Sequence, residues 1–99
     1  MDAANDPIVA DHREQITALD TEILNAVNRR ILLVGSLHAH KREQGYPTID
    51  SGRESQLLDE LRRHNTGPIS DEALERLERL VLELCTAEAA RIAARELEA

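Results

Sequence analysis

The sequence predicts an all-α fold: a three-helix subunit with one long N-terminal helix, paired as an intertwined homodimer. Three observations carry this. Of 99 residues 41% are apolar, yet Phe and Trp are absent and Tyr46 is the only aromatic, so any core is built from Leu, Ile, Val and Ala, a palette that suits helices. Apolar residues recur every three or four positions and no stretch alternates with period two, so no strand is expected. Chain-breaking residues cluster at Pro7, at Gly45-Tyr46-Pro47 and at Asn65-Thr66-Gly67-Pro68. They mark out helices over about residues 8–44, 50–65 and 70–97 within one domain spanning 1–99.

In the first segment only Gly35 interrupts the helical pattern, while Arg13, Ile16, Leu19, Ile23, Val27, Arg30, Val34, Leu37 and Lys41 form one face. In the second, Asp50 or Ser51 is the expected N-cap, followed by Arg53, Glu54, Leu57, Leu58 and Leu61. In the third, Ser70 is the expected cap, and Asp71 and Glu72 sit favourably at the positive end of the helix dipole. Leu74, Leu77, Leu80, Val81, Leu84, Glu88 and Ile92 follow, with Leu77, Val81, Leu84 and Glu88 as the stripe. A 37-residue helix is about 55 Å long, against a radius of gyration of about 13 Å for a compact domain of this size. The two shorter helices cannot cover its apolar stripe, and pairing with a second copy is the economical solution.

Charge and composition exclude several functions. Nineteen acidic against 12 basic residues give a net charge of −7, which disfavours nucleic acid or an anionic membrane as partner while leaving room for a local cationic pocket. The single cysteine, Cys85, excludes an intrachain disulfide and a thiolate zinc cage. His38 and His40 point about 200° apart on a helix, and His12 and His64 lack ligand-like spacing, so no metal site is expected. With no basic-then-apolar leader and no 18-residue apolar run, a cytoplasmic protein without a membrane span is expected.

Arg13, Arg30 and Lys41 occupy positions that the first stripe reserves for apolar side chains, where a charge opposes folding unless it is paired. Arg30 and Lys41, 11 residues apart, share nearly one azimuth and can converge on one ligand. Arg13 lies 17 residues from Arg30, about 25 Å along the helix, so it can complete such a site only from the partner helix of an antiparallel dimer. Asp50, Arg53 and Glu54 add carboxylates one turn apart. Together they suggest a pocket for a small dicarboxylate. The plainer alternatives are a snorkelling Arg paired with a nearby Glu, a simple cap at Asp50, a solvated Glu54 and an inert thiol at Cys85.

Four pieces of sequence resemble the all-helical chorismate mutases: His12-Arg13-Glu14-Gln15-Ile16-Thr17-Ala18-Leu19-Asp20, similar to the family's R-x-x-I-x-x-L-D; Asn28-Arg29-Arg30, similar to its paired arginines; Lys41; and Ile49-Asp50-Ser51-Gly52-Arg53-Glu54, similar to its D-x-x-R-E. Their mutual spacing agrees as well, over roughly residues 8–65. The resemblance implies a dimer of three-helix subunits that rearranges chorismate to prephenate in aromatic amino-acid biosynthesis, with no cofactor. It implies that Arg30 and the partner's Arg13 bind the carboxylates, that Lys41 hydrogen-bonds the ether oxygen, and that Asp50 and Glu54 engage the ring hydroxyl beside Arg53.

The third helix departs from the family pattern, in which a Ser is followed four residues later by a Gln that also bonds the ether oxygen. Aligned through Arg76 and Glu83, those positions fall on Cys85 and Ala89; one residue of shift puts Glu88 at the second. Glu88 is the preferred candidate, since fungal members use Glu there and the stripe would otherwise bury a carboxylate. Because a carboxylate and an ether oxygen both present lone pairs, Glu88 can assist only when protonated. Other readings stay open: a mutase of 4-amino-4-deoxychorismate, an isochorismate–pyruvate lyase, against which the intact Asp50-x-x-Arg53-Glu54 argues, or a weakly active dimeric helical module completed by a partner enzyme of the pathway.

Overall fold

The computed structural model describes residues 3–98, and among them every regular element is helical. A 3-10 turn at Ala3–Asn5 precedes helix α1 (Pro7–Gln44), followed by α2 (Ser51–His64) and α3 (Asp71–Glu98). Each helix begins and ends within one residue of the span the sequence predicts. Contacts divide the chain into two units, one up to Arg30 and one from Ile31 onward, with the division falling inside α1.

The first unit is a helix held by its own local bonds. Asp6 is the N-cap: its Oδ1 accepts from the Ile8 amide at 2.9 Å, and Pro7 occupies the first helical position, where its missing N–H costs nothing. Gln15 donates to Asp11 at 2.8 Å and Thr21 to the Thr17 carbonyl at 3.0 Å, each one turn away. No described residue of this unit is buried; Ile16, Leu19, Ile23 and Leu24 are each more than half exposed.

The second unit contains the last turns of α1 and all of α2 and α3. Helix α1 stops at Gly45, whose φ of 70° lies in the left-handed region that favours glycine. The Gly45 amide donates to the Arg42 carbonyl at 3.2 Å and the Tyr46 amide to the Lys41 carbonyl at 2.8 Å, the paired bonds of a Schellman terminus. Asp50 caps α2, its Oδ1 accepting from the Arg53 amide at 3.0 Å. Between α2 and α3, the Asn65 side chain donates to the Ile69 carbonyl and accepts from the Gly67 amide, fixing the turn. Ser70 then caps α3 through the Ala73 amide at 3.1 Å. Leu57, Leu58, Leu61 and Leu74 are half-buried where α2 packs on α3, and Glu75 bridges Arg62 at 3.4 Å and Arg79 at 2.7 Å.

Helix α3 differs from expectation by one residue of azimuth. Cys85 and Ala89 are its buried residues, while Leu77 and Leu84, placed on the inward stripe by sequence, are 49% and 41% exposed. Val81, Glu88 and Ile92 of the expected face are half-buried, and Glu78, Leu82, Cys85 and Ala89 join them on the inward side in place of Leu77 and Leu84. The physical reason is close approach: a Cβ built on Gly35 of α1 would meet the Ala89 Cβ at 3.9 Å, so small residues face each other here and the bulkier leucines flank the contact.

Candidate active site

Lys41 lies in the last turn of α1 and is half-buried. Its Nζ donates to the Thr48 carbonyl at 3.4 Å, beside the strand of loop that enters α2 two residues before Asp50. The fold therefore brings Lys41 to the start of α2, where Asp50, Arg53 and Glu54 stand. Asp50 spends one carboxylate oxygen on its cap and remains exposed. Glu54, one turn on, is exposed with its side chain uncommitted, and Arg53 reaches Glu60 at 4.0 Å, a loose pairing that a ligand can displace cheaply. The Lys41 contact is equally long for a hydrogen bond, so this ammonium can exchange a backbone carbonyl for an oxygen of a ligand at little cost.

The other expected site residues are distributed as follows. Arg13 and Arg30 belong to the first unit, Arg13 exposed and Arg30 half-buried. On α3, Cys85 is fully buried and its thiol offers only a weak donor. Ala89 is 5% exposed and has nothing to donate. Glu88, next to it, is half-buried, and its Oε2 accepts from Arg91 Nε at 2.6 Å. Glu88 is thus engaged with a neighbour on its own helix.

His38, three residues before Lys41, is half-buried, and its imidazole pKa is lowered by burial first and then by the positive charges of Lys41 and Arg42. A neutral ring is favoured there. His40 instead meets Tyr46 edge-on, with ring centroids 6.4 Å apart, and so braces the turn after α1. Sequence reasoning did not identify the Thr48 carbonyl as the partner of Lys41; a backbone acceptor in a loop has no side-chain signature. Among the described residues no group of three His, Cys, Asp or Glu side chains is placed to hold a metal ion. Among the described residues no helix is long and apolar enough to cross a membrane.

Taken as chemistry, the second unit presents one displaceable ammonium, one displaceable guanidinium and two carboxylates able to accept from a hydroxyl. Such a set can bind and orient a polar anion, and it holds no activated nucleophile. A family model described as chorismate mutase type II matches residues 12–89, more than three quarters of the chain. No curated protein and no solved structure matches it.

Proposed function

The chain belongs to the chorismate mutase type II family, and from that premise we propose that it is an isomerase converting chorismate to prephenate in the cytoplasmic synthesis of aromatic amino acids. The observation that carries this reading is the family match over residues 12–89, a span that contains Arg13, Arg30, Lys41 and Asp50-x-x-Arg53-Glu54. The reaction breaks an ether C–O bond as a C–C bond forms within one molecule, so atoms are conserved and no cofactor is needed. Catalysis then consists of orientation and of electrostatic stabilisation.

Under this reading Arg30, and Arg13 of a second copy, bind the two carboxylates and hold the flexible side chain over the ring. Lys41 leaves the Thr48 carbonyl and donates to the ether oxygen as negative charge builds there. Asp50 and Glu54 accept from the ring hydroxyl, with Arg53 balancing their charge. Cys85 lines the α3 side. Glu88 serves as second donor to the ether oxygen when protonated, which requires its pair with Arg91 to open. The active unit is a homodimer, because only a second copy supplies Arg13 to the same site.

A second reading has its own support. The two residues that α3 buries, Cys85 and Ala89, carry no strong donor, which favours a slow mutase brought to full rate by a partner enzyme. The test is the disappearance of chorismate with the purified chain alone, run beside 4-amino-4-deoxychorismate and isochorismate. Saturable conversion of chorismate to prephenate is the expected result, and preference for either other substrate, or no turnover, contradicts the proposal. Glu88→Gln, a permanent donor, should hold activity at alkaline pH where the parent declines. An unchanged profile, with near-normal activity in Glu88→Ala, places Glu88 outside the site and strengthens the partner-assisted reading.

A further inference from the structure

We propose that Tyr46 is a positioning residue: its ring holds the loop after α1 so that the Thr48 carbonyl keeps the Lys41 ammonium at the start of α2. The kinetic consequence rests on the reaction proposed above; the placement of Lys41 rests on geometry alone. Tyr46 is the only aromatic residue of the chain and Lys41 its only lysine, and the two lie five residues apart on either side of the end of α1. Tyr46 is 56% exposed, so burial does not account for an aromatic here. What its ring meets is the ring of His40, at an interplanar angle of 66°.

His40 and Lys41 are consecutive on α1 and point about 100° apart around it. The loop touches both: the Tyr46 ring rests on His40, and the Thr48 carbonyl accepts from Lys41 Nζ at 3.4 Å. Two attachments on different sides of one helix fix the orientation of the loop, where either alone would leave it free to swing. The backbone between them is short and stiff. The Tyr46 amide is tied to the Lys41 carbonyl at 2.8 Å, and Asp50 closes the far end as the cap of α2. Pro47 locks its own φ and confines Tyr46 to extended conformations. A ring fixed at 46 therefore sets the direction of the carbonyl at 48. Lysine is a point charge on a flexible four-carbon stem, and without a defined acceptor its ammonium disperses over many positions. A bond of 3.4 Å is too long to trap the ammonium and short enough to aim it, which is what a donor to developing charge requires.

The experiment compares Tyr46→Ala, Tyr46→Phe and His40→Ala with the parent, all as the full chain, by two readouts. One is the NMR order parameter of the Lys41 Cε, unambiguous because the chain has no other lysine. The other is kcat and KM for chorismate. Tyr46→Ala and His40→Ala should each lower the order parameter and reduce kcat about 10-fold, below the roughly 100-fold that a 1 Å misplacement can cost. KM should stay nearly unchanged, because the carboxylates are assigned to Arg30 and Arg13. Tyr46→Phe keeps the ring and should restore both readouts, and the double alanine variant should be no worse than either single one. The proposal is overturned if Lys41 is equally ordered with and without the ring, if Tyr46→Phe is as impaired as Tyr46→Ala, or if KM changes and kcat does not. If the parent chain converts no chorismate, the reaction reading fails instead, and the order parameters alone then decide whether Tyr46 holds Lys41.

Discussion

The stretch of α1 up to Arg30 and the chain from Ile31 onward draw on the same aliphatic residues and use them differently. From Ile31 on, Gly35 and Ala89 make a close contact and Leu57, Leu58, Leu61 and Leu74 line the α2–α3 seam, while Leu32, Leu33 and Leu80 stay more than half exposed. Before Ile31, Ile16, Leu19, Ile23 and Leu24 repeat at helical spacing and stay more than half exposed. Helices in proteins owe most of their stability to burial of such a face, with capping and local bonds contributing less. Covering each of these side chains is worth roughly 1 kcal/mol or more by the area rule. The difference teaches that the second region supplies part of its own packing, whereas the first buries none of these four side chains. In the homodimer proposed above, a second copy would cover them.

The largest expected effect separates chemistry from packing. Lys41→Ala should lower the rate of chorismate conversion about 100- to 1,000-fold by removing a donor to developing charge, with circular dichroism and thermal midpoint nearly unchanged. A large loss of stability with modest kinetic change would instead make Lys41 a packing residue.

Next comes the comparison itself. Ile23→Glu should abolish assembly, read by sedimentation or light scattering, because a charge placed on the exposed stripe cannot be covered by a partner helix. Leu97→Glu, in the last turn of α3 where Leu97 is 89% exposed, should leave the oligomeric state unchanged. Equal effects from the two substitutions would erase the distinction between the regions.

A smaller effect is expected at the α3 cap. Ser70→Ala removes the bond to the Ala73 amide and should cost about 1 kcal/mol in denaturant unfolding, since this helix start belongs to the self-packed region. Smallest is the effect of His38. Its pKa is lower in the folded chain than the unperturbed 6.5, so the unfolded chain binds the proton more readily. The associated stability is present above about pH 6.5 and is lost as pH falls below it. His38→Gln should flatten the acid side of the stability profile.

Much of this architecture is legible in the sequence because its punctuation is sparse and chemically explicit. Gly45 supplies the left-handed terminus of α1, and Asp50 and Ser70 cap the helices they precede, each as the residue type predicts. The face of α3 is less legible, since leucines at 77 and 84 outweigh Cys85 and Ala89 in any hydrophobicity pattern, while packing against Gly35 selects for smallness. Likewise a groove between α1 and α3 is lined by residues as far apart in sequence as Arg42 and Glu96, and no local pattern relates them. The residues proposed for the reaction come from the resemblance to the family; the acceptor that Lys41 holds and the pairing of Glu88 depend on loop and rotamer geometry.

The central claim is that the uncovered first region completes a site on a second copy, and subunit mixing tests it most directly. Arg13→Ala and Lys41→Ala homodimers should each be inactive in chorismate conversion. If each site joins Arg13 of one chain to Lys41 of the other, a heterodimer has one intact site of two. An equimolar, fully exchanged mixture should then recover about a quarter of the unmodified activity, half its dimers being mixed. Mixtures shown by mass spectrometry to have exchanged subunits, yet no more active than their parents, would contradict the account.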